Sequence, residues 1–332
     1  MWYNEKGKEN DVVLSSRIRL ARNVADYPFD SKLDKTSAEE IIEKVRKALG
    51  KGYKETDMGK ASSLEARSLV EKHLVSREFA EKKLPHALFS DEKHGIWIMV
   101  CEEDHIRLQA IRPGLALEEA LEAAEETDSL LDEGLNIAFD EKLGYLTHCP
   151  TNLGIAMRAS AMLHLPALTL THAIKPLTAQ LANMGLTIRG AFGEGTEPEG
   201  DLYQISNSVT MGITEEDTVK KLTDAVCEIA SREREARKRL HKEYGAKLED
   251  RLMRSYGIMK YARTMPSSEF LKYYSDLRFA VSLGLITDLT YEKLGQLMAD
   301  VLPSTLTLES GEKTLDGQAR DVLRAKKIRE TL

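Results

Sequence analysis

The chain reads as an α+β protein, a mainly antiparallel sheet covered on one side by helices and followed by an all-helical tail. Paired strand signals are interspersed with helical stretches rather than alternating with them one for one, which argues against a parallel sheet. Strand signals stop before Thr214, and the apolar spacing is helical from there to the C-terminus. With 332 residues, 42% of them hydrophobic and 30% charged, the chain can bury a full-sized core and is neither disordered nor fibrous.

In chain order, Leu14 to Arg19 is extended, with Arg17 and Arg19 two apart and therefore on one side of a strand. Residues 36–49 open with Thr36 and Ser37 followed by acidic residues, a helix-start signature, and keep a helical apolar stripe. Residues 60–75 read as helix. His94 to Cys101 is a buried strand, and alternation resumes at Ile106, Leu108 and Ala110 beyond the polar break Glu102-Glu103-Asp104, which predicts a hairpin with a carboxylate-rich tip. Residues 116–131 return to helix, and a second hairpin brackets Asp140-Glu141-Lys142. Helices are expected at about 154–164 and 171–184. A third strand pair, Leu186–Phe192 and Leu202–Thr210, encloses a Gly/Glu/Pro loop. Thr214-Glu215-Glu216-Asp217 caps a long helix through Lys242, and helices continue apart from a Gly/Pro-marked stretch near 302–317. The expected division is a mixed domain, 1–236, and a helical domain, 237–332.

The net charge of −7 argues against general binding to nucleic acid or a membrane surface. The cysteines, at 101, 149 and 227, form no CxxC pair and are odd in number, pointing to a reducing compartment without a disulfide framework. No apolar run approaches the roughly 20 residues that span a bilayer. The opening MWYNEKGKENDVV lacks a signal-peptide core, so a cytoplasmic location is expected.

Several clusters carry chemistry, each with a plainer reading. Arg17 and Arg19 could grip phosphate, or simply decorate a solvated edge strand, which their spacing alone favours. Glu102-Glu103-Asp104-His105 with Arg107 could hold a base and an anion contact, although acidic hairpin tips are commonly solubilising. His105 has no second histidine at ligand spacing, so no metal site is expected. Cys149, in Cys149-Pro150-Thr151-Asn152-Leu153-Gly154, is a small buried hydrophobe or a placed thiol; the turn that follows favours the placed thiol. Arg158-Ala159-Ser160 comes soon after it. Arg189-Gly190-Ala191-Phe192-Gly193-Glu194 joins a strand-end arginine to a glutamate in a glycine loop. No GxxxxGK[ST] or strand–GxGxxG–helix pattern is present, so neither a P-loop nor a dinucleotide fold is supported. Arg320 and Arg324 fall four apart on one helical face, a surface helix or an anion pocket.

Taken together, SSRIR at 15–19, EEDHIR at 102–107, CPTNLG at 149–154 with RAS at 158–160, and the Arg189–Glu194 segment resemble the phosphagen (guanidino) kinase catalytic domain. They occur in that family's order over residues 12–236. The bacterial protein arginine kinase branch is the most similar. The SSRIR strand begins too early to leave room for the helical N-terminal domain of creatine and arginine kinases. The tail also carries RDxxRA, Arg320-Asp321-Val322-Leu323-Arg324-Ala325, which in that branch forms a phosphoarginine-sensing site and contributes to dimerisation. His148, Ile155-Ala156 and Ala191-Phe192 depart from the family pattern without removing a presumed catalytic group.

The resemblance implies an ATP-dependent arginine phosphotransferase acting on proteins and marking them for a Clp-type protease. The alternatives are a kinase for a free guanidine such as arginine, or a non-catalytic phosphoarginine-binding adaptor. ATP with Mg²⁺ on its phosphates would be gripped by Arg17, Arg19, Arg107, Arg158 and Arg189, the charge cancellation that phosphoryl transfer needs. Ser15, Ser16, Ile18, His73, Ala159, Ser160, Ala161, Met162, Gly190, Ala191, Phe192 and Gly193 would complete the nucleotide site. Glu103 and Glu194 would orient the acceptor guanidinium and take its proton, with Cys149 as a thiolate tuning its charge. The implied partners are protein substrates, an activator protein, a Clp-type ATPase and a second copy of the chain; the implied setting is stress response and protein quality control.

Overall fold

The computed structural model describes residues 1–191 and 198–332. In chain order its elements are β1 (Val13–Arg22), α1 (Lys35–Leu49), β2 (Lys54–Asp57), α2 (Ser63–Glu71), α3 (Arg77–Ala80), β3 (Ala87–Asp91), β4 (Ile96–Val100), β5 (Ile106–Pro113) and α4 (Leu117–Gly134). They continue with β6 (Phe139–Asp140), β7 (Gly144–Tyr145), β8 (Met157–His164), α5 (Pro166–Leu170), α6 (Ile174–Asn183), β9 (Leu186–Gly190) and β10 (Leu202–Asn207). The tail is α7 (Glu215–Tyr244), α8 (Ala246–Tyr261), α9 (Ser267–Ser282), α10 (Tyr291–Asp300), α11 (Pro303–Glu309) and α12 (Gly317–Thr331).

One antiparallel eight-stranded sheet organises the molecule, in the order β2-β3-β4-β5-β1-β8-β10-β9. Side chains alternate across it, as a pleat requires. Ile18, Leu20, Ile98, Leu108, Ala159, Ala161 and Ile205 pack into one large core with Ile41 of α1, Ala124 of α4 and Val226 of α7. On the opposite face, Leu88, Trp97, Met99 and Ile111 meet Ala66, Leu74, Val75 and Phe79 from the α2–α3 region in a smaller cluster. The helices therefore lie on both faces, with the second face only part covered. That leaves room for a site over β5, β1 and β8.

The helical cover is on both faces rather than the one expected, and further expectations are corrected here. Residues 157–164 are a central strand, not a helix: β8 pairs with β1 on one side and β10 on the other, with Ala159 and Ala161 against the helical layer and Arg158 and Ser160 on the open face. The SSRIR segment lies in the middle of the sheet, not at an edge. The second hairpin is present only as the short β6–β7 pair, and the 302–317 stretch contains α11.

The long α7 starts as its sequence predicts. The Thr214 side chain accepts from the Asp217 N–H, and Glu215, Glu216 and Asp217 place negative charge at the helix N-terminus. The helix runs unbroken across residues 236–237 to Gly245, whose φ of 43° ends it. The tail also grips the rest through α11. Glu71, the last residue of α2, accepts from the backbone N–H groups of Ser304 at 2.8 and 3.0 Å and Thr305 at 3.2 Å.

Candidate active site

The sheet builds the site by register. Ser15, Arg17 and Arg19 point to the open face of β1. On β8, Arg158 lies directly opposite Arg19 and Ser160 opposite Arg17. On β5, Arg107 lies opposite Ala21, one step along the same face. Ser206 of β10 accepts from the Arg158 Nη2 at 3.1 Å, and Ser160 accepts from the Arg17 Nε at 3.4 Å. Three neighbouring strands thus gather four guanidinium groups onto one surface.

Their electrostatic circumstances differ. Burial, then the charges of Arg158 and Arg107, bring the Arg17 guanidinium down to about 10. Burial and the charges of Arg17, Arg107 and Arg158 push Arg19 well below its ordinary value. Arg107 is different: burial works against its charge, but Glu102, then Glu103 and Asp104, hold it above the usual arginine range. Its Nη1 donates to Glu102 at 2.8 Å and its Nη2 to Glu103 at 2.7 Å. Arg17 and Arg19 are therefore in the state that an added polyanion relieves.

The acidic segment is not a solubilising tip. Glu102, Asp104 and His105 are buried, and only Glu103 is substantially exposed, at 40%. Glu102 accepts from the Ser76 hydroxyl at 2.7 Å and from the Glu103 backbone N–H at 2.6 Å, which fixes the segment from which Glu103 projects. Asp104 does a second job: its Oδ1 accepts from Asn23 Nδ2 at 2.7 Å and from the backbone N–H of His148 at 2.7 Å. One buried carboxylate thereby ties the Glu103 segment to the residue before Cys149. His105 is structural, its Nδ1 accepting from the Val24 N–H and its Nε2 lying 2.9 Å from the Pro28 carbonyl oxygen.

Cys149 begins a single 3₁₀ turn, Pro150–Asn152, with its Sγ 3.0 Å from the Thr151 hydroxyl. A cavity of about 560 Å³ brings it together with Glu103, Arg19, Arg107, Arg158 and Asn152. Residues far apart in sequence, 19, 103, 149 and 158, thus share one hollow able to hold a phosphate chain and a guanidinium. Ala156, on the cavity wall, has a φ of 47°, a left-handed backbone that costs a non-glycine residue about 1 kcal/mol.

Farther along β1, Ser15, Arg17, His73, Ser160 and Met162 line one small pocket. The backbone of His73 is left-handed, at a φ of 59°, and its carbonyl accepts from Gln109 Nε2. Burial, then the Arg17 charge, lowers its imidazole to about 4, so the ring is neutral at physiological pH. A further cavity of about 490 Å³ runs from His73 and Ala191 to Phe270, Leu302 and Arg324. The side chains of Ile18, Ala159 and Ala161 face the helical layer, and Ser16 donates to the Gly114 carbonyl, so these residues offer the site backbone only. Arg189 is exposed on the edge strand β9, next to Gly190 and Ala191. Phe192, Gly193 and Glu194 lie outside the described residues.

The Arg320–Ala325 segment is the first half of α12. It presents less cation than its spacing predicts. Arg324 is 1% exposed; its Nε donates to the Val301 carbonyl at 3.0 Å and its Nη1 to the Met265 carbonyl and Asp321, each at 2.7 Å. Arg320, Asp321 and Leu323 are partly exposed, Val322 is exposed and Ala325 is buried. The acidic run 102–104 contained a signal for the supporting residues Glu102 and Asp104, whereas Glu78, which also lines the 560 Å³ cavity, had none.

Two family models match the chain. One, described as ATP:guanido phosphotransferase, C-terminal catalytic domain, covers residues 36–236. The other, described as protein-arginine kinase McsB C-terminal domain, covers residues 245–332. A protein-arginine kinase from Geobacillus sp. (strain WCH70) is 42% identical over 338 residues, spanning 100% of this chain and 93% of the relative. Another from Caldanaerobacter subterraneus subsp. tengcongensis is 41% identical, spanning 96% of each. Among solved structures, the duplicated taurocyamine kinase from Schistosoma mansoni with bound transition state analog components superposes with a TM-score of 0.62 at 25% identity, covering 73% of this chain and 35% of that one. A lombricine kinase gives 0.58 at 22% identity, covering 75% and 71%, a likeness of fold alone.

Proposed function

The chain belongs to the protein-arginine kinases of the ATP:guanido phosphotransferase family, and from that premise we propose that the arginine row, Glu103 and Cys149 carry its transfer of phosphate from ATP to arginine side chains of proteins. The observation that carries this reading is a contrast along one sheet surface: burial and then like-charged neighbours push Arg17 and Arg19 down, while Glu102 and Glu103 hold Arg107 up. A triphosphate supplies the negative charge that the first group lacks.

In this reading the phosphates of ATP lie along Arg17, Arg19 and Arg158, with Arg107 and Arg189 completing the grip and His73 toward the base. The acceptor guanidinium enters beside Glu103 and Cys149. It is protonated below about pH 12 and is a poor nucleophile in that form. Glu103 takes a proton from the attacking nitrogen as the N–P bond forms and the bond from phosphorus to the ADP oxygen breaks. Glu194, beyond the described residues, is the second carboxylate of the proposal. Cys149 forms no bond to phosphorus; its sulfur faces the guanidinium and favours the acceptor's charge distribution.

Mg²⁺, bound with ATP, would supply charge neutralisation on the phosphates beside Arg17, Arg19 and Arg158. Among the described residues, no group of three or more His, Cys, Asp or Glu side chains could hold a metal ion. No helix among the described residues is long and apolar enough to cross a membrane. We further place the protein in the cytoplasm, where its cysteines stay reduced, as a homodimer with an activator protein, marking stress-damaged or regulatory proteins for a Clp-type protease. The RDxxRA segment would serve as the allosteric phosphoarginine sensor, with Arg324 as frame and Arg320 as the exposed cation. The catalytic unit would be residues 1–236 and the sensing and dimerising unit 237–332.

The decisive experiment incubates the protein with Mg-ATP and an unfolded protein, then looks for acid-labile phosphoarginine by mass spectrometry. Phosphoarginine is expected with the wild type and not with Glu194→Ala, while nucleotide binding persists in both. A well-folded wild type that makes none would sink the reading. Free arginine, offered alone in a coupled ADP-release assay, is expected to be a far poorer acceptor.

A further inference from the structure

The loop that carries Cys149 has a second side. Asn152 and Ala156 line the catalytic cavity, but Gly154 and Ile155 between them line a separate groove of about 480 Å³. Phe139 and Leu143 of the β6–β7 hairpin, with Met211 and Ile213 ahead of α7, form its apolar walls. Phe139 is 59% exposed, Met211 47% and Leu143 43%, so three large apolar side chains converge on one open hollow. Leaving such side chains in water forgoes about 1.5–3 kcal/mol each, and clusters of this kind mark interaction surfaces.

The groove is fixed relative to the acceptor position. Gly154 donates to the Leu143 carbonyl at 2.8 Å and accepts from the Tyr145 N–H at 2.9 Å. Ile155 donates to the Thr210 carbonyl at 3.0 Å, and the Thr210 hydroxyl donates to the Thr151 carbonyl at 3.1 Å. The fit at Gly154 allows no side chain, since a Cβ there would meet the Thr210 carbonyl oxygen at 2.0 Å. The hairpin is anchored as well: Phe139 meets Tyr145 edge-on at 5.2 Å, and the Arg22 guanidinium lies 3.4 Å over the Tyr145 ring. Hairpin, Cys149 loop and Thr210 ahead of α7 are therefore tied together.

Charge selects the occupant. The first turn of α7 places Glu215 and Asp217 on the rim, and the hairpin tip beside it carries Asp140 and Glu141, with Lys142 as counter-charge. We propose that this groove receives the extended polypeptide flanking the target arginine of a protein substrate, apolar side chains against Phe139, Leu143 and Met211 and basic ones toward the acidic rim. The inference rests on the reading that the acceptor is an arginine within a protein; a free guanidine would leave the groove empty. It assigns to this surface a preference for apolar, basic stretches of the kind a folded protein hides.

Short peptides carrying one arginine between leucine- and valine-rich or glycine- and serine-rich flanks test it. The wild type is expected to favour the apolar-flanked peptide in kcat/KM by about 10-fold or more, the yield of burying one such side chain. Leu143→Glu and Met211→Glu, both at exposed positions, are each expected to erase that preference while leaving the glycine-flanked peptide unchanged. Equal losses on both peptides, or no loss on either, would overturn the inference. So would a fall in the mass of the Leu143→Glu protein by light scattering, which would make the groove a contact between copies. A wild type that phosphorylates neither peptide would remove the functional reading itself, and the groove's role with it.

Discussion

On β1 and β8, Arg17, Arg19 and Arg158 are crowded by register, and burial and then like charge push Arg17 and Arg19 below their ordinary range. On α12, Arg324 is more fully buried and burial lowers it too, yet two backbone carbonyls and Asp321 already occupy its donors. The residue type is the same; what differs is the surroundings, like-charged guanidinium groups for Arg17 and Arg19, carbonyls and a carboxylate for Arg324. Arg17 and Arg19, set among like charges, form the waiting site of the proposed reading, one that an added anion would relieve. A guanidinium whose donors end on the chain's own carbonyls is a fastener joining α12 to the residues before α9 and α11.

Replacing one residue from each group separates the two roles. Arg19→Met is expected to lower kcat/KM by about 10³, the scale of losing a charge-stabilising arginine in phosphoryl transfer. It should also stabilise the nucleotide-free protein by about 1 kcal/mol, because a repelled buried charge gives way to an apolar chain. Glu103→Gln comes next, with a loss of about 10²–10⁴ in kcat and ADP affinity nearly unchanged by calorimetry. A mutant with normal kcat would remove Glu103 from the reaction. Arg324→Met should act in the opposite sense to Arg19→Met on stability, costing about 3 kcal/mol in urea unfolding by stranding two carbonyls and Asp321. If both arginine variants shifted stability the same way, the distinction between waiting site and fastener would fail.

The smallest expected effect is on pH dependence. The folded His73 binds a proton only near pH 4, whereas an unfolded histidine does so near about 6.5. The unfolded chain therefore takes up the extra proton first, and His73 lowers stability progressively as pH falls from about 6.5 toward 4, contributing nothing above that window. His73→Asn, which tolerates the left-handed backbone, should flatten part of this slope in thermal melts. Added ADP should steepen it, if a neutral His73 belongs to the nucleotide end of the site.

Much of this was legible in the sequence, and the limits have physical causes. The period-two spacing of Arg17 and Arg19 announced a shared face, and Thr214 with its acidic followers announced α7. The position of β1 in mid-sheet was not readable, because hydrogen-bonding neighbours are set by chain-distant pairing. β8 was misread for a related reason. Its Arg158-Ala159-Ser160-Ala161-Met162 run is rich in good helix formers, and its core face carries only the small Ala159 and Ala161, too weak an apolar signal for the period of two to stand out. The acidic run 102–104 was visible, but not that Asp104 would reach the Cys149 loop, since that contact spans 44 residues of sequence. Arg320 and Arg324 were correctly placed on one helix; that Arg324 would be sealed in depended on carbonyls from α11 and α9 neighbours that no local pattern encodes.

The carboxylate of Glu71 has a wider reach than its own helix. It holds the first turn of α11 from the C-terminal residue of α2, and the chain turns through His73 directly afterwards. The tail and one end of the nucleotide pocket thus share a lever only two residues long. On the proposed nucleotide reading, Glu71 is the contact through which a shift of α11 would reach His73, and any such coupling would act equally in both directions. The helical tail would then report what the sheet has bound as much as regulate it.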